Sequence, residues 1–129
     1  MKKVILLFFI IFFYAYKCGP NEDINITVSS GTIPVYSWDG GSVHYLVVRE
    51  IDRGVVVWAI ETPEKDGINS PVEHGSIPKG CELILDQGKL GSPIDTTAFD
   101  KPLENGKKYK IGILRLFSGY VFGEKIFMP

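Results

Sequence analysis

Cysteine is nearly absent from this 129-residue chain, which has only Cys18 and Cys81. They form no Cys-x-x-Cys pair, which excludes dithiol redox catalysis and a thiolate zinc site. Histidine is as scarce, with His44 and His74 alone. A nucleophile needs a base beside it and a group to orient that base, and no Gly-x-Ser-x-Gly or comparable grouping supplies them. His44 alternates out of phase with Tyr45 and Val47, so it belongs on an outer sheet face. His74 lies in a Pro/Gly-rich connection and reads as a surface residue. The acidic spacing of a calcium loop and the glycine pattern of a phosphate loop are both missing. No catalytic residue, metal site or cofactor is predicted.

Basic clusters are also lacking. The densest spot is Lys107, Lys108 and Lys110, at a strand end. The whole chain has 14 basic and 15 acidic residues; without Lys2, Lys3 and Lys17 the balance is 11 against 15. An acidic domain of this kind is not built for nucleic acid. Helical periodicity, internal repeats and low-complexity tracts do not occur.

What the chain does have is a leader. Lys2 and Lys3 precede an apolar run from Val4 to Tyr16, followed by Lys17 and Cys18. A basic start and a short apolar stretch make an export signal too short to span a bilayer comfortably. With Cys18 directly behind it, the segment resembles a bacterial lipoprotein signal peptide, although Lys17 stands where that family has a small residue. The resemblance implies removal of residues 1–17, lipid on Cys18, a tether at 18–23 and a domain at 24–129. Soluble export and an uncleaved anchor are the alternatives. If Cys18 keeps its thiol, a disulfide to Cys81 is open to it.

Past residue 23 the pattern is β. Short runs rich in Val, Ile, Tyr and Phe are punctuated by 14 glycines and 8 prolines. Alternation predicts strands over 24–28, 34–38, 43–51, 55–61, 81–85, 107–117 and 120–127. Asp52-Arg53-Gly54 should close a hairpin between the third and fourth. The 62–80 segment reads as a connection crossing between sheets, and 87–102 as an irregular loop. About seven short strands in one domain of this size indicate an all-β sandwich of two antiparallel sheets.

Trp38 precedes a turn, Tyr45 and Val47 share a face, and Leu103, Asn105-Gly106 and Tyr109 precede an Ile111/Ile113 alternation. These residues resemble a fibronectin type III domain, with another immunoglobulin-like sandwich as the alternative. The resemblance implies that Trp38 packs beneath Tyr109, and that the third, fourth and long strands share a sheet. Ser70-Pro71-Val72, then Gly75, Pro78 and Gly80, resemble small bacterial envelope proteins, which adds no active site.

One physical feature stands out. With Tyr45, Val47, Ile111 and Ile113 facing inward, the outer sheet face carries an apolar strip of Leu46, Val48, Trp58, Leu114 and Leu116. Either a long connection folds over that strip, or it docks an envelope protein or a second copy. The expected function is therefore a non-enzymatic, lipid-anchored cell-envelope module, membrane-bound through Cys18, that serves as a protein-interaction or structural domain. A secreted carbohydrate-binding module, stacking sugars on Trp58 or Tyr120, is the alternative.

Overall fold

The computed structural model describes residues 24–63, 66–116 and 121–129. The leader, Cys18, the tether and Tyr120 lie outside the described residues. The strands are β1 (Ile26–Val28), β2 (Val35–Trp38), β3 (Tyr45–Glu50), β4 (Val55–Glu61), β5 (Val72–Glu73), β6 (Glu82–Leu83), β7 (Tyr109–Arg115) and β8 (Val121–Phe127). They form two sheets, in the orders β1–β2–β5 and β6–β4–β3–β7–β8. Every pairing within them is antiparallel. The protein is an all-β, two-sheet sandwich, and β3, β4 and β7 share a sheet as expected.

The 62–80 connection leaves β4 in the larger sheet, pairs with β2 through β5, and leads into β6, which pairs with β4. The 87–102 loop holds more regular structure than its sequence suggests. A one-turn helix, α1 (Gln87–Leu90), is capped by Asp86, and a 3₁₀ turn (Thr96–Ala98) is capped by Asp95. Both aspartates accept a backbone N–H that the turn leaves unpaired.

The β3 register settles which face is inside. Leu46 stands opposite Ile60 and Ile113, and Val48 opposite Trp58 and Ile111. Leu46, Val48, Trp58, Ile60, Ile111 and Ile113 all have 0% exposure. The expected strip is therefore divided: Leu46, Val48 and Trp58 belong to the core, while Leu114 is half-buried on the other face. Leu116, just beyond β7, remains 37% exposed. The reason is parity: β3 is apolar at both alternations, and a one-residue phase error exchanges its faces.

A connection does cover the outer face over β3 and β4. Leu90 of α1 is buried. Arg49, which points away from the core, donates to the Leu90 carbonyl at 3.1 Å and to Ser92 Oγ at 3.4 Å. Lys89 pairs with Glu61 at 2.8 Å. Beyond this cap, the same face carries Leu114, Phe122, exposed Ile126 and the Lys110–Glu124 ion pair.

The sandwich has two poles. At one, β1 begins and the 39–42 turn lies. Arg115 clamps that turn by donating to the carbonyls of Asp39, Gly41 and Ser42, each at 2.9 Å. Gly40 has φ +80°, and a side chain there would meet the same guanidinium. At the opposite pole stand the β3–β4 turn, Tyr109 and the 99–107 loop. Trp38 and Tyr109 are thus at opposite poles, not stacked as the resemblance implied. The indole of Trp38 donates to the Gly41 carbonyl at 2.8 Å. Tyr109 stacks on Phe127, and its hydroxyl accepts the Glu104 N–H at 2.9 Å.

Candidate functional site

The pole far from residue 24 holds a groove of about 360 Å³, bordered by the β3–β4 turn, the 3₁₀ turn and the 101–107 loop. Glu50, the last residue of β3, points into the core side of the sheet and is 2% exposed. A carboxylate so placed has to be paired. Across the tight turn, Arg53 reaches it with two bonds, Nε to Oε2 at 2.5 Å and Nη2 to Oε1 at 3.1 Å. Lys107 approaches Oε1 at 3.5 Å. The Arg53 hydrogen bonds hold Glu50 below the usual carboxylate range against the opposing effect of burial, and Lys107 adds to this.

Arg53 links this pair to the capped turn. Its Nη2 also donates to Asp95 Oδ2 at 3.1 Å. Asp95 Oδ1 accepts from Thr97 N at 3.2 Å and from Thr97 Oγ1 at 2.6 Å. The Thr97 hydroxyl, then Arg53, hold Asp95 below its ordinary value. Glu104 is paired with Lys107. The groove therefore has its carboxylates bonded internally, while Val57, Leu103 and Tyr109 supply apolar surface.

A second polar cluster lies in the core. His74, expected at the surface, is 4% exposed. It follows β5, and its own N–H bonds to the Pro34 carbonyl at 2.8 Å. Its Nδ1 shares a 2.8 Å hydrogen bond with Tyr36 Oη, and its ring lies 5.0 Å from that of Trp58. Burial pushes His74 down to about 4 and pushes Tyr36 up. The same two-residue pairing that docks β5 on β2 carries the imidazole inward. Nothing in the local sequence marks this, because Pro71 and Gly75 flank it as they would a loop.

The sequence-predicted residues are thus distributed over several places. Leu46, Val48 and Trp58 are in the core, and Leu114 and Leu116 are outside it. Trp58 offers no exposed ring for a sugar, and Trp38 is only 8% exposed. Cys81 is half-buried against the core, and Cys18 is outside the described residues. His44 Nδ1 accepts the Leu116 N–H at 3.2 Å. The groove was missed because its parts span residues 50–109. The one local signal is Glu50 closing an apolar run, with Arg53 three residues on.

Among the described residues, no three His, Cys, Asp or Glu side chains converge as a metal site. No helix among them is long and apolar enough to cross a membrane. Comparisons with protein-family models, with curated proteins and with solved structures found no match.

Proposed function

We propose that this chain is a non-enzymatic module of a bacterial cell envelope, exported by residues 1–17, tethered by lipid on Cys18, and used to bind a protein partner. The leader and the cysteine behind it support export and anchoring. The observation that carries the non-enzymatic reading is how the ionisable groups are used. Glu50, Asp95 and Glu104 are bonded to neighbouring side chains, and His74 is enclosed by aromatic rings with Tyr36 as its hydrogen-bond partner. Groups that would move protons or attack a substrate serve the fold instead.

We also read the sandwich as fibronectin type III-like or immunoglobulin-like. The bond from the Glu104 N–H to the Tyr109 hydroxyl supports this. A tyrosine opening a late strand and bonding to backbone a few residues upstream is the tyrosine corner of immunoglobulin-like sandwiches.

The test is the intact mass of the mature protein from its native membranes, with Cys18 mapped. A diacylglyceryl-sized addition on Cys18, with residues 1–17 missing, is the expected result. An unmodified Cys18, free or bonded to Cys81, overturns the lipid anchor.

A further inference from the structure

We propose that His74 is an acid-released peg: a proton on its ring frees residues 72–80 from the smaller sheet while the larger sheet stays folded. The segment has few other holds. β5 is an edge strand with two register pairs, Val35–Glu73 and Tyr36–Val72. Just beyond it, the His74 N–H bonds to the Pro34 carbonyl at 2.8 Å. From Gly75 to Gly80 no side chain is buried, so Val72 and His74 are what the segment puts into the core. The first half of the same connection is anchored separately. Ile68 is 1% exposed and exchanges two backbone bonds with Val43, at 3.0 and 2.6 Å.

The pocket suits a neutral imidazole and has no place for a charged one. Tyr36 Oη meets Nδ1 at 2.8 Å, and Nε2 has no partner among the described residues. Protonation makes both ring nitrogens donors, so the charge would be buried with one N–H unbonded. The groups facing the ring are Tyr36 from β2 and Trp58 from β4, with centroids 5.8 and 5.0 Å away. Trp58 does not ionise. Burial, with Tyr109 of β7 as the lesser cause, pushes the Tyr36 phenol up, so it stays neutral. His74 takes part in no ion pair among the described residues, and its neighbour Glu73 is exposed. Burial is what holds the ring's proton affinity down.

Water is the better solvent for the charged ring, and the ring reaches it by lifting out with its segment. A two-residue edge strand is the kind of element that opens below the cost of global unfolding. Its departure bares the β2 edge at Val35 and Tyr36, a free backbone to which another strand can pair.

The experiment is amide hydrogen exchange of the full-length chain in detergent micelles, read by NMR at pH 7 and pH 5 and corrected for the intrinsic rate. The His74 amide should open at least about tenfold more often than the β3, β7 and Ile68 amides, with little dependence on dilute urea. For a ring that titrates near 4 when docked and at its ordinary 6.5 when released, that opening should be about twentyfold more populated at pH 5 than at pH 7. His74→Gln should abolish the pH effect, and Glu73→Gln should leave it unchanged. A His74 amide with the opening constant and urea dependence of β7 reports global unfolding alone and overturns the proposal. So does a pH effect that is missing from the natural chain or that survives His74→Gln. Should His74→Gln not fold, the contrast between the His74 and β7 amides of the natural chain decides.

Discussion

His74 is held among rings, with Tyr36 Oη bonded to Nδ1 and no hydrogen-bond partner at Nε2. Its folded value, near 4, lies below its ordinary 6.5. Between those two values the unfolded chain binds the proton and the folded chain does not. Stability should therefore fall as pH drops from about 6.5 toward 4, and this loss should level off below 4. The full shift corresponds to about 3 kcal/mol. Urea unfolding at pH 7 and pH 5 measures it. His74→Gln keeps a polar partner for Tyr36 but cannot titrate, so it should flatten the curve across this window. Glu50 and Asp95 have depressed values, and their contribution is lost only at lower pH. A steep slope that survives His74→Gln would assign the effect to other groups.

Among the elements, β3 shows how far the sequence could be read. Its existence, its hairpin with β4 and its place beside β7 were all legible from apolar runs and the Asp52-Arg53-Gly54 turn. Its facing was not, because Tyr45, Leu46, Val47 and Val48 are apolar at both parities, so the pattern does not distinguish the sides. Cross-strand partners decide it, and these become visible only once β7 is aligned. Leu46→Asp should therefore cost about 3 kcal/mol or more, since it buries an unpaired carboxylate. Leu116→Asp, at an exposed site, should stay within about 0.5 kcal/mol. Chemical denaturation of the two variants distinguishes them, and equal tolerance would contradict the burial of Leu46. β5 escaped notice because two residues between Pro71 and His74 carry no periodicity. At the seam between the sheets, a side chain at Gly123 would come within 2.8 Å of the Ile24 carbonyl oxygen. Backbone atoms must give way, so Gly123→Ala should cost about 1–3 kcal/mol, read as a lower melting temperature. An unchanged melting temperature would mean that the seam is looser than this contact.

For the whole molecule, the two poles follow from where β1 starts. Five residues separate Cys18 from Ile24, six Cα–Cα steps that span at most about 20 Å when fully extended. In lipid-anchored protein, a fluorophore at Asp66, near the 39–42 turn, should be quenched strongly by nitroxide-headgroup lipids. One at Lys101 should be quenched weakly. Both labels are introduced as single cysteines in a Cys81→Ser background, and a reversed order would invert the orientation. The groove itself was illegible for a global reason. Its charges come from a strand end, a turn, a capped helical turn and a loop, and only the completed sandwich gathers them.

The short β1 has a mechanical consequence. It pairs with β2 at Ile26–Trp38, Thr27–Ser37 and Val28–Tyr36, and Ile24 is wedged against β8 at Gly123. If the proposed anchor on Cys18 holds, a pull between it and the opposite pole runs along β1. Its cross-strand bonds then lie across the line of force and share the load in shear, instead of opening one after another like a zipper. Under the proposed anchoring, β1 would thus act as the strain-bearing joint of the tether.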